Sequence, residues 1–216
     1  MLFDEIDLYP VTCEALSQGR SNLEVLRALI AGGARIVQLR EKNINKRELF
    51  EMAVRFREIT AENNVKLIIN DHLDIALAVE ADGVHLGQSD IPCAVARKLV
   101  PRLIIGVSTH SLEQALQAEK DGAAYVNLGP IFDTKTKGVL TKGIGIDLIK
   151  RVMPHLSIPF TAMGGINAEN IDIVLAAGAR RVAMVTALTQ AKDITEAAAF
   201  FIRKIRTKSL PNRSSK

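Results

Sequence analysis

Several short stretches of this sequence carry side chains suited to holding an anion. Arg40 and Lys42 lie two residues apart in Gln38-Leu39-Arg40-Glu41-Lys42. In an extended segment two such side chains leave on the same side. Lys137 arrives separately, in Thr134-Lys135-Thr136-Lys137. A guanidinium forks two oxygens of a phosphate, and ammonium groups add point charge. Three cations at one place would call for a strongly anionic ligand such as a diphosphate. The alternative is a surface role, in which Arg40 and Lys42 pair with Glu41 or a helix carboxylate.

Two carboxylates add a second chemistry. Asp71 follows Asn70, and Asp90 ends His85-Leu86-Gly87-Gln88-Ser89-Asp90. Aimed at one point they suit Mg²⁺, which takes one or two protein carboxylates and completes its shell with water and substrate phosphate. Each could instead cap the helix that follows it. Gly164-Gly165 and Val185-Thr186 supply backbone N–H groups of the kind that bind phosphate, although a bare Gly-Gly also serves an ordinary turn. The four histidines show no metal-ligand spacing, and His85 reads as a packed or loop-bonding residue. Neither Cys13 nor Cys93 has the neighbours of a nucleophile.

These residues need a scaffold that gathers them. Short runs rich in Val, Ile and Leu recur at 7–12, 35–40, 66–70, 83–86, 103–108, 123–129, 159–164 and 181–187. Such runs predict strands buried on both faces. Between them lie helical patterns at 22–31, 46–63, 72–80, 92–100, 112–120, 147–152, 168–177 and 194–206. Ser111 with Gln114, and Asn167 with Asn170, read as helix starts. Gly32, Gly122 and Gly178 are expected to be left-handed helix ends. Eight strands alternating with eight helices predict a single (β/α)₈ barrel, an α/β fold whose chemistry collects where strands end. An open doubly wound sheet would want a glycine-rich fingerprint after the first strand, and Val11-Thr12-Cys13-Glu14 lacks it. The motifs above all fall at predicted strand ends. The long connection through Gly138, Gly143 and Gly145 reads as a lid.

The barrel is expected to occupy 1–206, with 207–216 a polar, disordered tail. The 216 residues suffice for one domain with a substantial core. The net charge of +4 owes much to the basic stretch from Arg203 to Lys216. With no Trp and few aromatics, no nucleic-acid motif is present. No apolar stretch is long enough to span a bilayer, and no secretory signal opens the chain. Two distant cysteines suit free thiols in a reducing cytosol, so a cytoplasmic protein is expected. A homo-oligomer is compatible with the sequence.

Taken in order, Gln38–Lys42, Asn70-Asp71, His85–Asp90, Gly106-Val107-Ser108, Gly129-Pro130-Ile131-Phe132 with Thr134–Lys137, and Gly164-Gly165-Ile166 resemble the thiamine-phosphate synthase family over nearly the whole chain. The resemblance implies a transferase of thiamine biosynthesis. It would join hydroxymethylpyrimidine diphosphate to hydroxyethylthiazole phosphate, releasing pyrophosphate. It implies that Gln38, Leu39, Arg40, Glu41, Lys42, Asn70, Ser108 and Lys137 surround the pyrimidine diphosphate. Arg40, Lys42, Ser108 and Lys137 would act on the departing group. Asp71 and Asp90 would hold Mg²⁺. Thr134, Lys135, Thr136, Gly165, Val185 and Thr186 would hold the thiazole phosphate. The chain departs from the family's pattern at Cys13, at Asp133, at Thr186 and in the loop after Lys137. The rival readings are a thiazole tautomerase on the same barrel, a non-catalytic phosphate-binding barrel, and an isomerase of another phosphate-binding barrel family.

Overall fold

In the computed structural model, which describes residues 3, 6–135 and 140–209, eight parallel strands form one sheet. They are β1 (Leu8–Pro10), β2 (Ile36–Leu39), β3 (Lys66–Asn70), β4 (Gly83–Leu86), β5 (Ile104–Thr109), β6 (Tyr125–Leu128), β7 (Phe160–Met163) and β8 (Val182–Met184). The strands pair in the order β1-β8-β7-β6-β5-β4-β3-β2. The last seam closes just beyond β1, where Val11 bridges Gln38 in parallel and the Thr12 amide donates to the Gln38 carbonyl at 2.9 Å. The expected (β/α)₈ barrel is therefore the observed architecture.

Around it run α1 (Asn22–Ala31), α2 (Lys46–Glu62), α3 (Leu73–Ala78), α4 (Cys93–Leu99), α5 (Leu112–Lys120), α6 (Asp147–Val152), α7 (Ile171–Ala176), α8 (Thr186–Thr189) and α9 (Ile194–Ser209). Ser21 opens α1 with a full capping box, accepting from the Glu24 amide while Glu24 accepts from the Ser21 amide. Asn45 and Ser111 cap α2 and α5 from one side only, accepting from the Glu48 and Gln114 amides. The expected strand through 187 is corrected here. It stops at Met184, and Thr186 begins a separate four-residue helix. Gly32 also departs from expectation. Its φ is −76°, and the left-handed residue is Gly33 at +92°. Gly32 is needed for contact, because a Cβ there would lie 2.6 Å from the Ala198 Cβ of α9.

The period of two sorts each strand. Val37 and Leu39 face outward into the large core beneath the helices. Ile36 faces inward, with Phe3, Ile6, Tyr9, Ile68, Tyr125 and Ala183. Polar interior positions lie nearer the strand ends. This places chemistry at the mouth and packing at the base.

One charged knot holds the base. The Asp82 carboxylate accepts from Arg57 Nη1 and Lys66 Nζ at 2.7 Å each, and from the Leu67 amide at 2.9 Å. Burial pushes its pKa up, but Lys66, the Leu67 amide and Arg57 outweigh burial and hold it below the usual range. Asp82→Ala is expected to destabilise the fold by about 2–3 kcal/mol near neutrality, since it strands two cations and an amide. A depressed folded pKa gives stability that is present above the unfolded value and lost as pH falls through the folded value. The gap between wild type and variant should therefore shrink in acid. Urea denaturation at neutral and acid pH checks this, and an equal gap at both would contradict it.

Candidate active site

The strand ends bring six of the expected residues together at one mouth of the barrel. Arg40, Ser108, Thr134, Gly165, Val185 and Thr186 line a cavity of about 370 Å³. Its remaining walls include His110, Asn127, Lys142, Met163 and Ile166. The other expected groups divide. Asn70 ends β3, nearly buried, and pairs in register with His85. Gln38 is 2 % exposed and donates from Nε2 to the Tyr9 hydroxyl at 2.8 Å. Leu39 lies in the outer core, away from the mouth. Glu41 accepts from the Glu14 amide and from Asn22 Nδ2, tying the β2 loop to the start of α1. Lys135 is exposed on the loop after β6. Thr136 and Lys137 lie outside the described residues, as does Gly138.

Beside the cavity sits the carboxylate pair. Lys42 Nζ is 3.2 Å from Asp71 Oδ2. Burial raises the Asp71 pKa, and the neighbouring Asp90 carboxyl raises it further against the pull of Lys42. Neither aspartate caps a helix. The N-cap of α3 is His72 and that of α4 is Pro92, and neither start has a side-chain cap bond. Asp90 instead accepts from the Gly87 amide at 2.6 Å, which folds the β4 loop back on itself. Asp71 holds a left-handed φ of +62°, uncommon outside glycine and most tolerable for Asp and Asn. The turn sends its amide to the His85 carbonyl at 2.8 Å. Two carboxylates held together against their own repulsion fit a divalent cation. Among the described residues no third His, Cys, Asp or Glu joins them, so such an ion would keep much of its shell for water and ligand.

The loop after β6 is anchored at its base. Thr134 and Thr141 exchange backbone hydrogen bonds at 3.0 and 2.8 Å. Asp133 accepts from the Gly143 amide at 2.7 Å and from Lys142 Nζ at 3.1 Å, and these bonds hold its pKa low. Gly164 and Gly165 take φ of +101° and +64° beneath this loop. At Gly165 a Cβ would meet the Asp133 carbonyl oxygen at 2.7 Å, so glycine lets the β6 and β7 loops close on each other.

Inside the barrel His85 bonds Tyr125 Oη through Nδ1 and Ser108 Oγ through Nε2, both at 2.9 Å. Full burial lowers its pKa to about 4, so the ring is neutral at physiological pH. Cys13 and Cys93 are free and buried, and burial raises both thiol pKa values. Sequence reasoning missed His110, Asn127, Thr141, Lys142 and Met163 as cavity walls. Asn127 had a usable signal, a polar residue at the inward phase of β6. His110 had the weaker signal of a polar residue just past β5, while its Nδ1 contact with the Gly129 carbonyl joins two separate loops.

No helix among the described residues is long and apolar enough to cross a membrane. The profile of the family described as thiamine monophosphate synthase matches residues 8–188. A thiamine-phosphate synthase of Chloroflexus aurantiacus is 49 % identical over 88 % of this chain and 88 % of its own. One of Dictyoglomus thermophilum is 46 % identical over 94 % of this chain and 91 % of its own. A solved thiamine phosphate pyrophosphorylase of Pyrococcus furiosus superposes with a TM-score of 0.88 at 37 % identity, covering 98 % of this chain and all of that one. On the family match, the identities and the shared barrel, the chain belongs to the thiamine monophosphate synthase family.

Proposed function

We propose that the chain is a thiamine-phosphate synthase, transferring the aminopyrimidinylmethyl group from its diphosphate to thiazole phosphate with release of pyrophosphate. The observation that carries this reading is the mouth itself. A carboxylate pair with Lys42 adjoins a cavity lined by Arg40, Ser108, Gly165 and Thr186. One side suits a diphosphate and the other a monophosphate.

Asp71 and Asp90 would hold Mg²⁺, which when bound supplies positive charge to the diphosphate oxygens. Arg40 forks the diphosphate from the cavity side, and Lys42 adds charge beside Asp71. The Ser108 hydroxyl donates to a ligand oxygen. These groups gain strength as negative charge builds on the leaving pyrophosphate, the condition for lowering the barrier. The aminopyrimidine ring is electron-rich and can stabilise the carbon left behind. Asn127, Met163 and Ile166 wall the cavity. Gly165, Val185, Thr186 and Thr134 orient the thiazole phosphate so that its ring nitrogen faces that carbon, which is a positioning effect. No side-chain nucleophile is needed. That accords with a neutral buried His85 and thiols held protonated.

The deciding experiment mixes the full chain with both substrates and Mg²⁺. Pyrophosphate and thiamine phosphate should appear together, and only when both substrates are present. Rearrangement of the thiazole phosphate without pyrophosphate would make the protein a tautomerase. Binding without turnover would make it a non-catalytic barrel. Either result overturns the reading.

A further inference from the structure

A continuous chain of hydrogen bonds crosses the barrel interior and ends at the mouth. Gln38 Nε2 donates to Tyr9 Oη at 2.8 Å, and Tyr9 Oη lies 2.7 Å from Tyr125 Oη. Tyr125 Oη lies 2.9 Å from His85 Nδ1, and His85 Nε2 lies 2.9 Å from Ser108 Oγ. Five residues from β2, β1, β6, β4 and β5 thus share one line. All but Ser108 are buried, and Ser108 lines the cavity.

Geometry alone leaves each of these bonds reversible, and one direction results when every donor on the line is required to find an acceptor. Each phenol has one proton to give. Tyr9 receives from the Gln38 amide, and its own proton is satisfied on this line only if it goes to Tyr125. Tyr125 then gives its proton to His85 Nδ1, which must carry the lone pair. A neutral imidazole with a bare Nδ1 bears its proton on Nε2. That proton points at Ser108 Oγ, which accepts it. The Ser108 hydroxyl proton is left for the mouth.

We propose that Gln38, Tyr9, Tyr125 and His85 form a one-way relay that fixes Ser108 as a hydrogen-bond donor toward the bound diphosphate. Tyr9, Tyr125 and His85 are positioning residues, since Ser108 lines the cavity and they do not. The inference rests on the synthase reading for the identity of the anion, but not for the polarity of the relay. Without the relay Ser108 could spend its proton on His85 and present only lone pairs to an anion. With it, the donor is already aimed when the diphosphate arrives, and no reorientation is needed in the reaction.

The test combines a spectroscopic signature with kinetics on the full chain. Long-range ¹H–¹⁵N correlation of ¹⁵N-histidine-labelled protein should show His85 as the Nε2–H tautomer at neutral pH. Tyr125→Phe should lose that preference, and Tyr9→Phe should weaken it, because Tyr125 then receives no proton and can accept from His85 instead. Tyr125→Phe should lower kcat about tenfold with little change in the KM for thiazole phosphate. That loss should vanish in a Ser108→Ala background, because the effect runs through Ser108. His85→Gln can accept from Tyr125 and donate to Ser108, and should retain more activity than His85→Leu. An Nδ1–H tautomer in the wild type overturns the proposal. So does a Tyr125→Phe loss that persists in full without the Ser108 hydroxyl. If the tautomer is as expected and wild-type turnover is absent, the synthase reading fails and the relay's polarity stands.

Discussion

Asp71→Asn is expected to make the resting protein more stable and the enzyme at least about a hundredfold slower, a loss near 3 kcal/mol of transition-state stabilisation. Both effects come from one arrangement. The fold presses Asp71 against Asp90 in a half-buried setting where burial and the second carboxylate both oppose its charge. Lys42 at 3.2 Å relieves only part of this. A raised folded pKa means that folding is disfavoured at pH values where the carboxylate is ionised. Neutral Asn removes the repulsion and accepts the left-handed φ of +62° as readily as Asp. The apo melting temperature should therefore rise, while calorimetric Mg²⁺ affinity and turnover fall together. Asp90→Asn should behave alike for metal binding, yet gain less stability because Asp90 also receives the Gly87 amide at 2.6 Å. Unchanged kinetics at limiting Mg²⁺, with an unchanged melting temperature, would remove the pair from the metal site. Local strain kept at a functional mouth is a common cost of activity.

The mouth was legible in the sequence because strand ends announce themselves. Apolar runs stop at Arg40, Asn70, Leu86 and Ser108, and polar residues begin at once. A barrel then puts all of those ends on one rim. The interior relay was not legible, because Tyr9, Tyr125 and His85 are separated by scores of residues and meet only when the sheet closes. Each alone looks like an ordinary core side chain. Likewise, nothing local marks Asp82 as a knot, since Asp-Gly before β4 reads as a plain turn. Its partners come from α2 and β3. The end of β8 misread for a different reason. Val185-Thr186-Ala187-Leu188 continues the apolar run, and only the turn at Val185, with ψ of −88°, ends the strand. Periodicity over so few residues does not separate strand from helix.

Gly106→Ala should be a severely damaging single-methyl change, destabilising by about 3 kcal/mol and abolishing most activity. The sequence marks Gly106 only as two residues before Ser108. The structure gives the reason for glycine, and it is space. A Cβ at 106 would lie 2.0 Å from Tyr125 Cζ and 2.3 Å from its Oη. The phenol cannot retreat. Phe3 stacks on it at a centroid distance of 4.1 Å, and Tyr9 meets it edge-on at 5.7 Å. Both ring and hydroxyl are fully buried, so any shift must break the bond to His85 or to Tyr9. Stability and function can then be separated by a compensating change. Adding Tyr125→Leu to Gly106→Ala removes the clashing ring end and should recover much of the lost folding free energy in urea titrations. It cannot restore a donor to His85 Nδ1, so turnover should stay low. Recovery of full activity in the double variant would show that Gly106 serves packing alone. Failure to recover stability would show that the added methyl meets something other than Tyr125.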